Sequence, residues 1–277
     1  MCELGSVTLK FRSYERGTVT TPMNLRERNK SQRRAVILEA ARRLMHDSGN
    51  TGFSMRALAE QAGVSLATPY NLFGSKQAIL VALLNADFES FQLSLSQLSA
   101  GSIDVMFEAV RLTTDNLKRD PRYYRSAMAE ITLEAQPEVR HMILGPPYLL
   151  WKRLLREAVQ MGSLSHSIDL DPFTITLTQL MFATTREWVQ GYVSLPEMDA
   201  RMRYGVALNL LAIATDNSRE ALQQHLLTAE ADLKGLWQNA LMARMKEGPL
   251  DAETQEILAD QLSQMNPTLQ TTQENTA

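Results

Sequence analysis

Apolar positions recur with a helical period along most of the chain. The first stripe is Ile37, Ala40, Ala41, Leu44 and Met45, spaced by three, one, three and one, which puts all five on one face. Arg26, Arg28, Lys30, Arg33 and Arg34 lead into it, and Gly49 is placed to end it. Met55, Leu58, Ala59 and Ala62 predict the inner face of a short helix with Ser54 as its N-cap. Gly63 permits a sharp turn, Val64 can plug it, and Ser65 can cap a second short helix reaching about Phe73. Gly74 breaks the chain again, and Ser75 can cap a long helix through Ile79, Leu80, Leu83 and Leu84.

Two short helices joined by a tight glycine turn are what a helix-turn-helix requires, here at about 54–73. Downstream, the periodicity predicts helices near 76–98, 103–119, 121–135, 147–161, 171–194, 197–215 and 218–246, with a weaker one at 250–264. Breakers fall at Gly101, Pro121, Pro137, the Gly145-Pro146-Pro147 turn, Gly162, Pro172 and Pro196. Strand-like alternation is absent. The expected fold is all-α, a three-helix N-terminal module followed by a larger helical body. The expected divisions are an arm at 1–24, a helix-turn-helix domain at 25–91, a larger helical domain at 92–246, and a helical extension with a polar tail at 247–277.

Charge sharpens this division. Up to Leu80 there are twelve Lys and Arg against six Asp and Glu, a net +6, whereas the remainder carries a net −9. A basic module on an acidic body suits a partner that is a polyanion. Hydrophobic residues make up 44% of the 277, enough for folded cores. No apolar run approaches the roughly 20 residues that span a bilayer, and no apolar stretch marks a leader, so a cytoplasmic location is expected. Cys2 is the sole cysteine, which rules out an intrachain disulfide and a cysteine-built metal site.

From Ser54 to Lys76 the run SMRALAEQAGVSLATPYNLFGSK resembles the TetR family of bacterial regulators. The resemblance extends over residues 31–91, from the Ile37-Leu38-x-Ala40-Ala41 core to the Ile79-Leu80 start of the next helix. It implies that Arg56 and Tyr70 meet the DNA backbone, that Thr68 lies near the DNA, and that Lys76 follows the turn to a phosphate. The helix geometry independently exposes Leu66, Ala67, Thr68 and Asn71 to a major groove, and Ser54 can donate to phosphate as well as cap. Pro69 and Leu66-Ala67 depart from the usual family pattern. Pro69 and Ala67 can touch thymine methyls, but the helix has few base-reading donors, and Pro69 predicts a shifted or 3₁₀ start. Arg26 and Arg28, expected just ahead of the first helix, can reach a minor groove or remain a solvated tail.

The resemblance also implies a body that binds a small hydrophobic effector and forms a homodimer through two late helices, here 171–194 and 197–215. The candidate stripes are Met202, Val206, Leu210 and Ile213 on one, and Phe173, Leu177, Leu180, Met181, Thr184 and Trp188 on the other. Candidate pocket residues are Tyr123, Tyr124, Met128, Tyr148, Trp151, Met181, Phe182, Arg186 and Trp188. No cofactor is implied. Enzyme signatures are weak: a lone Glu138-x-x-His141 spacing has no second copy, and no phosphate loop or Gly-x-Ser-x-Gly elbow occurs. The expected function is a ligand-responsive repressor that binds a palindromic double-stranded operator as a dimer. The alternatives are a DNA-binding adaptor without a ligand, or an all-α enzyme.

Overall fold

A computed structural model describes residues 25–48, 53–97, 103–133 and 137–246. The expectations for 1–24, 247–277 and a helix at 250–264 lie outside them. The described residues form α1 (Leu25–Ser48), α2 (Met55–Gln61), α3 (Ala67–Phe73), α4 (Lys76–Leu95), α5 (Ile103–Arg119), α6 (Pro121–Leu133), α7 (Pro137–Gln160), α8 (Leu170–Val189), α9 (Leu195–Leu211) and α10 (Asp216–Lys246). No strand occurs among them. A single bridge, Leu164 to Ala214, ties the loop before α8 to the loop before α10.

Two caps fall where the sequence placed them. The Ser54 hydroxyl accepts from the Ala57 N–H at 3.1 Å, and the Ser75 hydroxyl accepts from the Ala78 N–H at 3.1 Å. The third differs. Ser65 meets the Thr68 hydroxyl at 2.8 Å, while its carbonyl accepts the Thr68 N–H at 2.9 Å, three residues on. That is the tight 3₁₀-type start expected from Pro69, which sits in the first turn and has no N–H to compete for that carbonyl. Gly63 and Gly74 take φ of 62° and 85°, the left-handed turns that flank α2 and α3.

Four boundaries correct the sequence reading. First, α1 starts at Leu25, so Arg26 and Arg28 lie within the helix and not ahead of it. Residues 26–34 are Arg, Glu, Lys, Gln and similar good helix formers but carry no apolar face, so periodicity could not see them. Second, α7 runs unbroken through Gly145-Pro146-Pro147. The two prolines deprive the carbonyls of Met142 and Ile143 of their ladder donors. Packing of the next turns, where Leu150, Trp151, Leu154 and Leu155 are buried, outweighs that cost. Third, α8 ends at Val189 rather than 194, and fourth, α9 at Leu211 rather than 215. Thr215 and Ser218 turn the chain into α10 by donating to the Ser163 carbonyl.

Two cores organise these helices. The N-terminal core gathers Ile37, Ala41 and Met45 of α1, Met55 and Leu58 of α2, and Ile79, Leu80 and Leu83 of α4. Tyr123, Ala127 and Ile131 of α6 complete it, so a helix of the body is built into the N-terminal module. The larger core joins α5, α7, α8 and α9. Most of the stripe residues expected at a dimer interface belong to it: Met202, Val206, Leu210, Ile213, Leu177 and Trp188 are buried within the chain. The outward face of α8 is a different one, made of Pro172, Ile175, Thr176, Gln179, Ala183 and Arg186. α10 lies along α9 and reaches α5. Trp237 Nε1 donates to Glu197 Oε1 at 2.9 Å, Arg203 bridges to Asp232 at 2.8 Å, and His225 stacks on Phe107 at 3.7 Å. The long apolar α4 meets the length and composition of a membrane span. Its apolar side chains are used in the two cores: Ile79, Leu80, Val81 and Leu83 in one, Phe91 and Leu95 in the other.

Candidate nucleic-acid interface and interior cavity

α3 is held in place by the residues beneath it. Leu72 and Phe73 pack on the N-terminal core, and Pro69 is buried. On α1, Arg34 places its guanidinium 4.0 Å from the Phe73 ring centre and donates to the Leu72 carbonyl, closing the C-terminal end of α3. Sequence reasoning counted Arg34 only as one basic residue among several; an arginine one turn before the Ile37 stripe was the available signal.

The outward face carries Ser65, Leu66, Ala67, Tyr70 and Asn71, all exposed, with Thr68 half-buried. Tyr70 and Leu66 are about half exposed, at 49% and 50%, although both are large and apolar. Pro69 departs from this set. Its ring points inward, so the expected thymine contact is not available in this conformation. The α3 face therefore offers one aliphatic anchor, one phenol and one carboxamide. Ser54 and Arg56 lie exposed at the start of α2, with Arg56 in a surface pair to Glu60 at 3.2 Å. Lys76 faces the other way: its ammonium is 3.0 Å from Glu130 on α6 and 5.2 Å from the Phe53 ring centre. Arg26 and Arg28 are exposed on the first turns of α1.

Behind this module lies a cavity of about 230 Å³ lined by α4, α5, α6, α7 and α8 and by Met202 of α9. Six of the nine sequence-predicted pocket residues line it: Tyr124, Met128, Trp151, Met181, Phe182 and Arg186. The other three do not. Tyr123 is buried in the N-terminal core, one position away from Tyr124 on the helix. Trp188 is buried beneath the Arg125 guanidinium, 4.9 Å away. Tyr148 stands beside Lys152, at 5.7 Å. Sequence reasoning missed the α4 and α5 walls, including Asn85, Asp87, Phe88, Phe91 and Asn116. Spacing alone could have paired Val81, Leu84, Asn85, Phe88 and Phe91 as one face of α4.

Asp87 joins cavity and module. Its Oδ1 accepts from Arg42 NH2 of α1 at 2.7 Å, and its Oδ2 accepts from the Tyr123 hydroxyl at 3.1 Å. Burial, then the Asp87 charge, hold the Tyr123 hydroxyl well above the ordinary phenol range, and the same two causes push Tyr124 up to about 12. Val81 of α4 and Ile131 of α6 each belong to the N-terminal core and also line the cavity. Among the described residues, no group of three or more His, Cys, Asp or Glu is placed to hold a metal ion.

Residues 37–83 match the profile of bacterial regulatory proteins of the tetR family. No curated protein matches the chain. Its fold is similar to that of RolR in complex with resorcinol, with a TM-score of 0.55 and 18% identity over 72% of this chain and 95% of RolR. It is similar to Thermus thermophilus FadR, a TetR-family repressor in complex with lauroyl-CoA, with a TM-score of 0.54 and 20% identity over 66% of this chain and 95% of that one. SmeT, the repressor of the Stenotrophomonas maltophilia multidrug efflux pump SmeDEF, aligns at a TM-score of 0.51 and 19% identity, over 67% and 92%.

Proposed function

We propose, from the match of residues 37–83 to the tetR family of bacterial regulatory proteins, that the chain is a DNA-binding transcriptional regulator, a ligand-responsive repressor that reads a palindromic operator as a dimer. The observation that carries this reading is a shared wall. Val81 and Ile131 pack in the core that supports the reading helix and also face the interior cavity. A molecule that fills the cavity displaces residues on which α3 rests, and it changes DNA affinity by as much as it prefers one arrangement over the other.

In this reading Leu66, Ala67, Thr68, Tyr70 and Asn71 enter the major groove, with Asn71 as the base reader and Tyr70 as a backbone contact. Ser54, Arg56, Arg26 and Arg28 supply phosphate contacts, and Lys76 does so when it leaves Glu130. Two-fold symmetry places two such helices one turn of DNA apart. Pairing through the outward face of α8, where Ile175 is 48% exposed, is supported by exposed Leu208 one turn beyond Gly205 on α9. The protein works in the cytoplasm, where its operator is, and no catalysis is assigned to it. RolR holds resorcinol and FadR holds lauroyl-CoA in comparable folds, which supports a small-molecule effector here.

The test is footprinting on the promoter DNA next to the gene, with sizing of the protein in solution. A protected palindrome and a dimer are expected. Absence of any DNA binding at low salt refutes the reading.

A further inference from the structure

The polar groups of the cavity are unevenly placed. α4 begins at the N-terminal module, and α5 returns to it, since Asp120 just past the end of α5 lies 3.3 Å from His46 of α1. Asn85 on α4, Asn116 in the last turn of α5, and Asp87 and Tyr124 therefore line the end nearest the module. The other wall is formed by Phe88, Phe91, Leu150, Trp151, Phe182 and Met202.

These polar groups are not equally available. Asp87 is already bonded to Arg42 and Tyr123. The threonine hydroxyls of the lining turn back to their own helices: Thr113 donates to Ala109, Thr178 to Thr174 and Thr185 to Met181, at 2.7–2.9 Å. The side chains of Asn85 and Asn116 make no hydrogen bond among the described residues, yet both line the cavity. Their two carboxamides offer both donors and acceptors and no charge.

Charge narrows the class further. A cation entering this end meets Arg42 already seated on the one carboxylate. An anion meets that carboxylate, while the one arginine of the lining, Arg186, is exposed on α8. Burying either ion without a partner is costly, whereas a neutral hydroxyl or carbonyl is satisfied by the amides.

Resting on the effector reading above, we infer that the ligand is an uncharged molecule with an apolar ring body and a hydroxyl or carbonyl at one end, held by Asn85 and Asn116 with that end toward the DNA-binding module. Its polar group then lies beside the Asp87–Arg42 pair.

Equilibrium dialysis of the full chain at neutral pH against 2-naphthol, naphthalene, 2-naphthoate and 2-naphthylmethylammonium tests this. 2-Naphthol is expected to bind about tenfold tighter than the other three, which equals about 1.4 kcal/mol. Asn85→Leu and Asn116→Leu, near-isosteric changes, are expected to reduce 2-naphthol to the level of naphthalene while leaving naphthalene binding intact. The order of affinities in the unaltered protein stands on its own if either variant fails to fold. A charged analogue binding tightest, or a naphthol preference that survives both substitutions, overturns the inference and leaves the effector site standing. Exclusion of all four probes overturns both.

Discussion

Arg42 on the first helix donates to Asp87 on the fourth at 2.7 Å, and this bond ties the DNA-binding module to a wall of the interior cavity. Partial burial disfavours the Arg42 charge, yet the bond and charge of Asp87 outweigh it and raise the Arg42 pKa. Asp87→Asn is expected to destabilise the fold by about 1–2 kcal/mol, the range for a charged hydrogen bond discounted for the 38% exposure of the Arg42 side chain. A double-mutant cycle with Arg42→Ala, measured by urea unfolding, is expected to give a coupling of about 1 kcal/mol. A coupling of zero removes the pair as a strut between the two parts.

Alkaline pH acts on the same cluster. The Tyr123 hydroxyl is buried and faces Asp87, so its folded pKa is raised above the unfolded value near 10. A raised pKa means that the fold favours the protonated form. Its contribution is fully present below pH 10. Above pH 10 the unfolded chain sheds the proton first, and stability falls by up to about 1.4 kcal/mol per pH unit. Tyr124, held at about 12, adds a smaller decline that ends near that pH. Unfolding midpoints at pH 8–12 are expected to drop steeply in the parent and less steeply in Tyr123→Phe. Equal slopes contradict the assignment.

Close packing of α8 on α9 gives a third expectation. A Cβ added at Gly205 comes within 2.3 Å of Leu180 Cδ2. Leu180 is half-buried and can swing, so Gly205→Ala is expected to cost about 1 kcal/mol, and Gly205→Val up to about 3. Leu180→Ala in the Gly205→Ala background is expected to recover part of the loss in thermal melts. If the two changes are simply additive, the contact does not set the helix spacing.

Local chemistry was legible in the sequence and long-range placement was not. Ser54, Ser75, Gly63 and Gly74 act through their nearest neighbours, and each stands where its residue type predicted. α1 was read short because residues 26–34 have no apolar face, and α7 was read broken because Pro146 and Pro147 are local stops that distant packing overrides. For the cavity, side-chain type found Tyr124, Met128, Trp151, Met181, Phe182 and Arg186. It also admitted Tyr123, one residue and about 100° around the helix from Tyr124, which faces the other core. Spacing puts Asn85 on one face of α4 with Phe88 and Phe91, but nothing local pairs it with Asn116, because only the fold brings α4 and α5 around one space. Pro69 read as a reading-head residue by position, while its buried ring makes it a support.

Lys76 supplies the last prediction. The family resemblance sends this lysine to a phosphate, whereas here its ammonium rests 3.0 Å from Glu130, with both side chains less than a third exposed. The two placements exclude each other, so Glu130 competes with DNA for Lys76. Glu130→Gln is expected to tighten binding to any duplex about threefold at low salt, an ion pair of this exposure being worth roughly 0.2–1 kcal/mol. Lys76→Ala is expected to weaken binding on all sequences alike and to lower the salt slope by about one. With Lys76→Ala present, Glu130→Gln should give no further gain in a filter-binding titration. A gain of the same size in that background assigns the effect to net charge and removes the competition.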